Sequence, residues 1–203
     1  MVDFTKVPFY DYSNEEICAI AKDKLLSIDS NEPIDIELLI EKNDLDLIPL
    51  AGLKRNFSID AYLSVNKKTI YYDPDVNETR IRFSIAHEFG HFILHNKLIE
   101  DSHISNIAEW KDYIKKFPEW MWALIEKHAN EFAGQILAPK ENIEKAITGY
   151  SEKLKEIREK IPSDIELVRD YLAIPLGRQF GVSDQVMSIR LKRESINPYD
   201  FIV

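Results

Sequence analysis

Residues 87–91 read His-Glu-Phe-Gly-His, an H-E-x-x-H pattern. Two histidines four positions apart on an α-helix share one face, with Cβ atoms roughly 6 Å apart. Both imidazoles can then converge on one Zn²⁺ at about 2.0–2.1 Å. Glu88 lies about 100° round the helix, beside such a metal and not on it. It can take a proton from an activated water and pass it to a leaving amine. The chemistry that this spacing suits is metal-assisted hydrolysis of an amide.

The flanks, Ile81 to Ala86 and Phe92 to His95, are apolar on nearly every helical face, which predicts a buried helix. A buried His-Glu-His cluster is costly unless it is paired or binds a metal. His95 continues the four-residue spacing, but it stands about 6 Å further along the axis than His91. It is therefore expected to support a ligand rather than to be one. The metzincin continuation, with Gly and a third His later in the segment, is absent.

A third ligand must come from another element, and three residues compete: Glu126, His128 and Glu131. The stripe Trp122, Ile125, Ala129, Phe132 and Ile136 defines the buried side of their helix. Glu131 falls nearly opposite that stripe and is expected in solvent. Glu126 and His128 flank it on opposite sides, so phase alone barely separates them. Asn130 decides for Glu126, because the two are i, i+4 neighbours. A carboxylate ligand with an amide one turn on, able to orient a ligand histidine, makes a coherent site. The expected metal is one Zn²⁺ per chain.

These residues need elements to hold them. Ser13-Asn14-Glu15-Glu16 is a capping-box pattern opening a helix, and Asp35 can cap a second. Leu45 to Leu50, Ile59 to Val65 and Thr69 to Tyr72 look like strands, the last two joined by an Asn66-Lys67-Lys68 turn. Asn77 is a cap for a long helix through Leu98, and Pro118 opens another that Pro139 stops. Between them, residues 100–117 read as a loop with a short helix. Gly149 and Pro162 punctuate two further helices, and 151–160 is a solvated face.

Composition bounds the partners. The 203 residues hold 26 basic and 35 acidic side chains, a net of -9. Such a field repels phosphate, so direct nucleic-acid binding is not expected, whereas a basic protein would be attracted. With 45% hydrophobic and 30% charged residues, the chain can build a core. Only 6 Gly and 9 Pro exclude a collagen-like chain. The lone Cys18 fits a reducing compartment. The opening MVDFTKVPFYDY lacks a secretory pattern and no run of 18 apolar residues exists, so the expected address is the cytoplasm and no membrane partner is expected.

The segment Arg82 to His95, followed by Glu126-x-x-Ala129-Asn130-x-Phe132-Ala133-Gly134-x-x-Leu137-x-Pro139, resembles the ImmA/IrrE family of H-E-x-x-H metallo-endopeptidases. The likeness covers most of residues 15–140, with a weaker match at Phe180-Gly181-Val182-Ser183 and Arg190-Leu191. It implies a gluzincin-like site: His87, His91 and Glu126 as ligands and Glu88 as base. It also implies a substrate class, helix-turn-helix transcriptional repressors, cut once in stress or mobile-element control.

The expected architecture is α+β: one metalloprotease domain over 1–203, with helices and a small twisted sheet in 1–76, the buried zinc-site helices in 77–140 and a helical part in 141–203. The peptide is expected along the sheet edge beside Thr69–Tyr72 as an added strand. Tyr71, Tyr72, His103 and Arg178 are the candidates for stabilising the transition state. Two rival functions stand beside the peptidase. A transcription factor could use Leu176 to Ser183 and the following helix as a helix-turn-helix unit. Residues 176–203 are almost neutral, however, so a helical pair packed on the core explains them better. A non-catalytic sensor on the same fold would have little reason to keep Glu88.

Overall fold

Ser13 starts the first helix as its sequence predicts. Its hydroxyl accepts from the Glu16 amide at 3.2 Å, and its own amide donates to the Glu16 carboxylate at 2.8 Å. The computed structural model describes residues 9–29, 31–64, 68–100 and 107–203. Helix α1 (Asn14–Leu25) buries Ile17, Ala21 and Leu25. Helix α2 (Ile36–Lys42) is capped by Asp35, which accepts from the Leu38 amide at 2.9 Å.

Strands β1 (Asp46–Pro49), β2 (Ala61–Ser64) and β3 (Thr69–Tyr72) form one sheet in the order β1-β3-β2. β1 runs parallel to β3 and β2 antiparallel to it. The expected peptide site beside Thr69–Tyr72 is therefore corrected: β3 is hydrogen-bonded on both sides and has no free edge. Among the described residues the outer edges belong to β1 and β2, the latter with its Leu63 amide already bonded to Glu88. Between β1 and β2 lies a five-residue helix, α3 (Leu53–Phe57), that periodicity did not reveal. Gly52 enters it at φ 87°, where glycine meets no Cβ penalty. Of the expected Asn66-Lys67-Lys68 turn, the first two positions lie outside the described residues.

Helix α4 (Glu78–Glu100) carries His87, Glu88 and His91. Asn77 caps it, accepting from the Thr79 amide at 3.0 Å. Ile85, Ala86 and Phe89 are buried, while His87 and Glu88 are only partly so, because they face a cleft. Helix α5 (Ile107–Ile114) precedes α6 (Glu119–Leu137), against which α4 packs most closely. Phe89 and Phe132 meet edge to face at 5.5 Å between α4 and α6. At Gly90 an added Cβ would stand 3.2 Å from the Cα and carbonyl of Ala129 and from the Phe132 ring. Gly90→Ala gains about 1 kcal/mol of helix propensity, against roughly 1–3 kcal/mol of overpacking between two fixed backbones. A lower urea midpoint is the expected outcome; a raised one would show that α6 can give way.

Helices α7 (Lys140–Thr148), α8 (Ser151–Lys160), α9 (Ile165–Phe180) and α10 (Asp184–Arg193) complete the chain with a 3₁₀ turn, Pro198–Phe201. Gly181 ends α9 in the left-handed region, φ 63°, and Ser183 caps α10. Leu176, Phe180, Val182, Met187 and Leu191 are buried. The segment that looked like a helix-turn-helix unit is a helical pair packed on the core. Arg82 of α4 ties it down, donating to the Gly181 carbonyl at 3.1 Å and the Ile34 carbonyl at 2.7 Å. The architecture is thus mixed α and β, mostly helical, with one small sheet. Among the described residues no helix is long and apolar enough to cross a membrane.

One expectation fails on α6. Glu131 is not in solvent; it is 2% exposed. Its carboxylate accepts from Gln135 at 2.9 Å, lies 3.4 Å from Arg190 and pairs with Arg193. Helix α1 also packs on α6, and Arg190 and Arg193 of α10 reach across to Glu131.

Candidate metal centre

Helical spacing on α4 brings His87 and His91 together, with their Nε2 atoms 3.0 Å apart. From α6, Glu126 places Oε2 3.4 Å from His87 Nε2 and Oε1 3.4 Å from His91 Nε2. The three groups offer atoms that all lie within 4.8 Å of one another. Tetrahedral ligands at about 2.0–2.1 Å from a zinc stand roughly 3.3–3.4 Å apart, so the spacing suits such an ion.

Hydrogen bonds set which nitrogen faces the centre. His87 Nδ1 is 3.0 Å from Asn130 Oδ1, an acceptor, so this nitrogen carries the proton and the neutral ring turns a lone pair inward. His91 Nδ1 is 3.2 Å from His95 Nδ1. Burial, with the neighbouring His91 and His128, holds His95 down to about 2, so it is neutral and can accept from His91. Two inward lone pairs at 3.0 Å with a carboxylate beside them repel unless a cation lies between. This donor set, two imidazoles and one carboxylate, is the chemistry that a zinc ion takes.

The charges agree. Burial disfavours the charged form of His87, but its bond to Glu126 and the Glu88 charge outweigh that and raise its pKa. Burial likewise opposes ionisation of Glu126, yet its bonds to His87 and His91 prevail and hold it well below the carboxylate range. Without a metal, His87 is thus more readily protonated than a free imidazole, with the Glu126 carboxylate beside it. A metal must displace that proton, so affinity falls as pH falls below the raised His87 value.

Glu88 stands apart from the triangle. Its carboxylate accepts from the Leu63 amide of β2 at 2.9 Å. Burial raises its pKa, with His91 and His87 only partly opposing. A carboxylate so raised is better matched to proton transfer near neutral pH.

The remaining candidates are scattered. His128 is 1% exposed, bonded to Asp11 at 3.1 Å and stacked on Phe9 and His95, so it is not one of the converging three. Tyr71 stacks on Tyr62 at 6.4 Å, and Tyr72 borders a groove beside β1. Arg178 is exposed on α9. None of Tyr71, Tyr72 and Arg178 is among the residues lining the cleft, and His103 lies outside the described residues. What lines it instead, and was missed, includes Tyr62, Arg80, Trp110 and Trp122. Tyr62 is raised to about 12, first by burial and then by Glu88, so its hydroxyl remains a donor. The only signal for the three aromatic residues was aromatic composition, and Arg80 had none. Their meeting depends on strand order and on where α5 lies.

A family model described as the IrrE N-terminal-like domain, Peptidase_M78, matches residues 40–192. No curated protein matches the chain. Among solved structures, a Mycobacterium tuberculosis transcriptional regulator superposes with a TM-score of 0.53 at 15% identity, covering 88% of this chain and 46% of that one. The chain thus spans less than half the length of that regulator, and the likeness is one of fold.

Proposed function

The chain belongs to the IrrE N-terminal-like peptidase family, and from that membership we propose that it is a zinc-dependent endopeptidase that cleaves a helix-turn-helix transcriptional repressor. The observation that carries the reading is the convergence of His87, His91 and Glu126 beside Glu88. His87, His91 and Glu126 would hold one zinc ion, which when bound supplies Lewis-acid polarisation of the scissile carbonyl and a more acidic water. Glu88 takes the proton from the attacking water and delivers it to the leaving amine. Asn130 and His95 fix the two ligand rings, and the Leu63 amide fixes the Glu88 carboxylate. The peptide lies along the outer edge of β2, which lines the cleft, using the main-chain groups that the Leu63–Glu88 bond leaves open.

Residues 1–203 act as a single metalloprotease domain, in the cytoplasm. The net charge of -9 favours encounter with the basic surface of a DNA-binding protein. The solved regulator that shares the fold suits a place in gene control. Direct DNA binding by α9 and α10 is disfavoured, because Arg190 and Arg193 are spent on Glu131.

Glu126→Ala is expected to lose most bound metal on elemental analysis, as is His87→Ala, while His128→Ala keeps it. If His128→Ala were the variant that emptied, the ligand set would be wrong. The substrate class is tested by incubating the protein with helix-turn-helix repressors from the same cell and mapping fragments by mass spectrometry. One cut, abolished by a chelator and restored by zinc, is expected. Cleavage of unrelated proteins with every repressor left whole would remove the repressor from the proposal.

A further inference from the structure

The triangle of His87, His91 and Glu126 opens into a cleft of about 730 Å³. One wall of that cleft is aromatic. The Trp122 ring stacks on His91 at 6.1 Å, Trp110 meets Trp122 edge to face at 5.9 Å, and Tyr62 meets Trp110 at 6.4 Å. Three elements thus supply a continuous aromatic surface that begins at a residue of the triangle: β2, α5 and α6. Phe83, Ile114 and Val186 also line the cleft and are partly exposed to it. Apart from the stacking of Trp122 on His91, nothing in the triangle or its supporting bonds requires these six side chains.

An aromatic surface can take an apolar side chain or, through its ring faces, a cation. The acids in the lining decide between them. Glu126 is engaged by His87 and His91, while Glu88 accepts from the Leu63 amide and keeps its charge. Asp60 is held by Arg80 at 2.6 Å and Lys54 at 3.1 Å. Among the described lining residues Glu88 is the one carboxylate without a paired cation, and the peptidase reading needs it as the base, whereas an apolar ring would lose only water.

We propose that Tyr62, Trp110 and Trp122 form a specificity pocket for a bulky apolar residue, aromatic by preference, adjoining the bond to be cut. This rests on the peptidase reading for its meaning, but the pocket is a binding site in its own right and can be tested without turnover. Filling it with a phenyl group in place of a methyl should tighten binding about 10–100-fold, from the apolar area removed from water.

The probe is a set of capped octapeptides identical except for a central Phe, Leu, Ala, Asp or Lys. Their binding to Glu88→Gln protein is followed by indole fluorescence, and to Glu88→Gln/Trp110→Ala protein by calorimetry. The order Phe, Leu, Ala, then Asp and Lys weakest, is expected, with the Phe-to-Ala ratio falling about tenfold when Trp110 is truncated. Circular dichroism of the double variant confirms that it folds. A Trp110→Phe variant should restore most of the ratio. Equal binding of Phe, Ala and Asp peptides, no binding by any of them, or a preference for Lys would overturn the pocket. A Phe preference in binding with no cleavage by wild-type protein would leave the pocket standing and strike the peptidase reading instead.

Discussion

Glu131→Ala is expected to lower stability by about 3–5 kcal/mol, the cost of breaking a buried ion pair by removing one partner. Glu131 and Arg190 have side chains 1% and 3% exposed, so neither charge has water to fall back on. Arg190 also donates to the Ala138 carbonyl at 3.1 Å and to Gln135 at 3.0 Å, and pairs with Glu194 at 2.8 Å. Gln135 in turn donates to Glu131 and to Glu194. Without Glu131, Arg190 keeps Glu194 as its counter-charge, which sets the loss at the lower end of that range. Arg193 is partly exposed and can turn to solvent. The check is equilibrium unfolding in urea. A loss below about 1 kcal/mol would mean that the network behaves as a surface one. Because α6 also carries Glu126, the variant should lose metal only when it unfolds, which separates it from Glu126→Ala.

That network shows where reading along the chain stops. The stripe on α6 correctly put Ile125, Ala129, Phe132 and Ile136 inside. It could not know that α1 would pack on α6 as well, or that Arg190 and Arg193, about 60 residues later, would pair with Glu131, since periodicity within one helix reports only on one neighbour. The same boundary explains the sheet. Alternating residues located all three strands, but strand order is a long-range pairing, and nothing in Thr69–Tyr72 says that it sits in the middle. The short α3 was lost because five residues carry too little pattern for a period to be seen. The metal triangle was more legible. His87 and His91 are related by one helical turn, and Asn130 sits one turn from Glu126, so each half of the cluster is a local feature. What joins the halves is the close approach of α4 and α6 at Gly90 and Ala129. The aromatic wall had no such local signature.

Glu88→Gln carries the largest expected change in activity. The amide keeps the size and planarity of the carboxylate, and its oxygen can still accept from the Leu63 amide. The fold and the metal should therefore stay. What disappears is an acceptor for the proton of the attacking water, and with it the donor to the leaving amine. Loss of such general acid–base catalysis typically costs about 10²–10⁴-fold in rate. Glu126→Ala should fail differently, by losing metal first and activity as a consequence.

The central claim is that Glu88 works as the base beside a metal held by His87, His91 and Glu126. The measurement is the rate at which a repressor is cut by zinc-loaded wild-type and Glu88→Gln protein, with metal content determined on the same samples. One zinc per chain in both, with cleavage at least 10²-fold slower in the variant, is the predicted result. Equal cleavage by both proteins at equal metal content would contradict it.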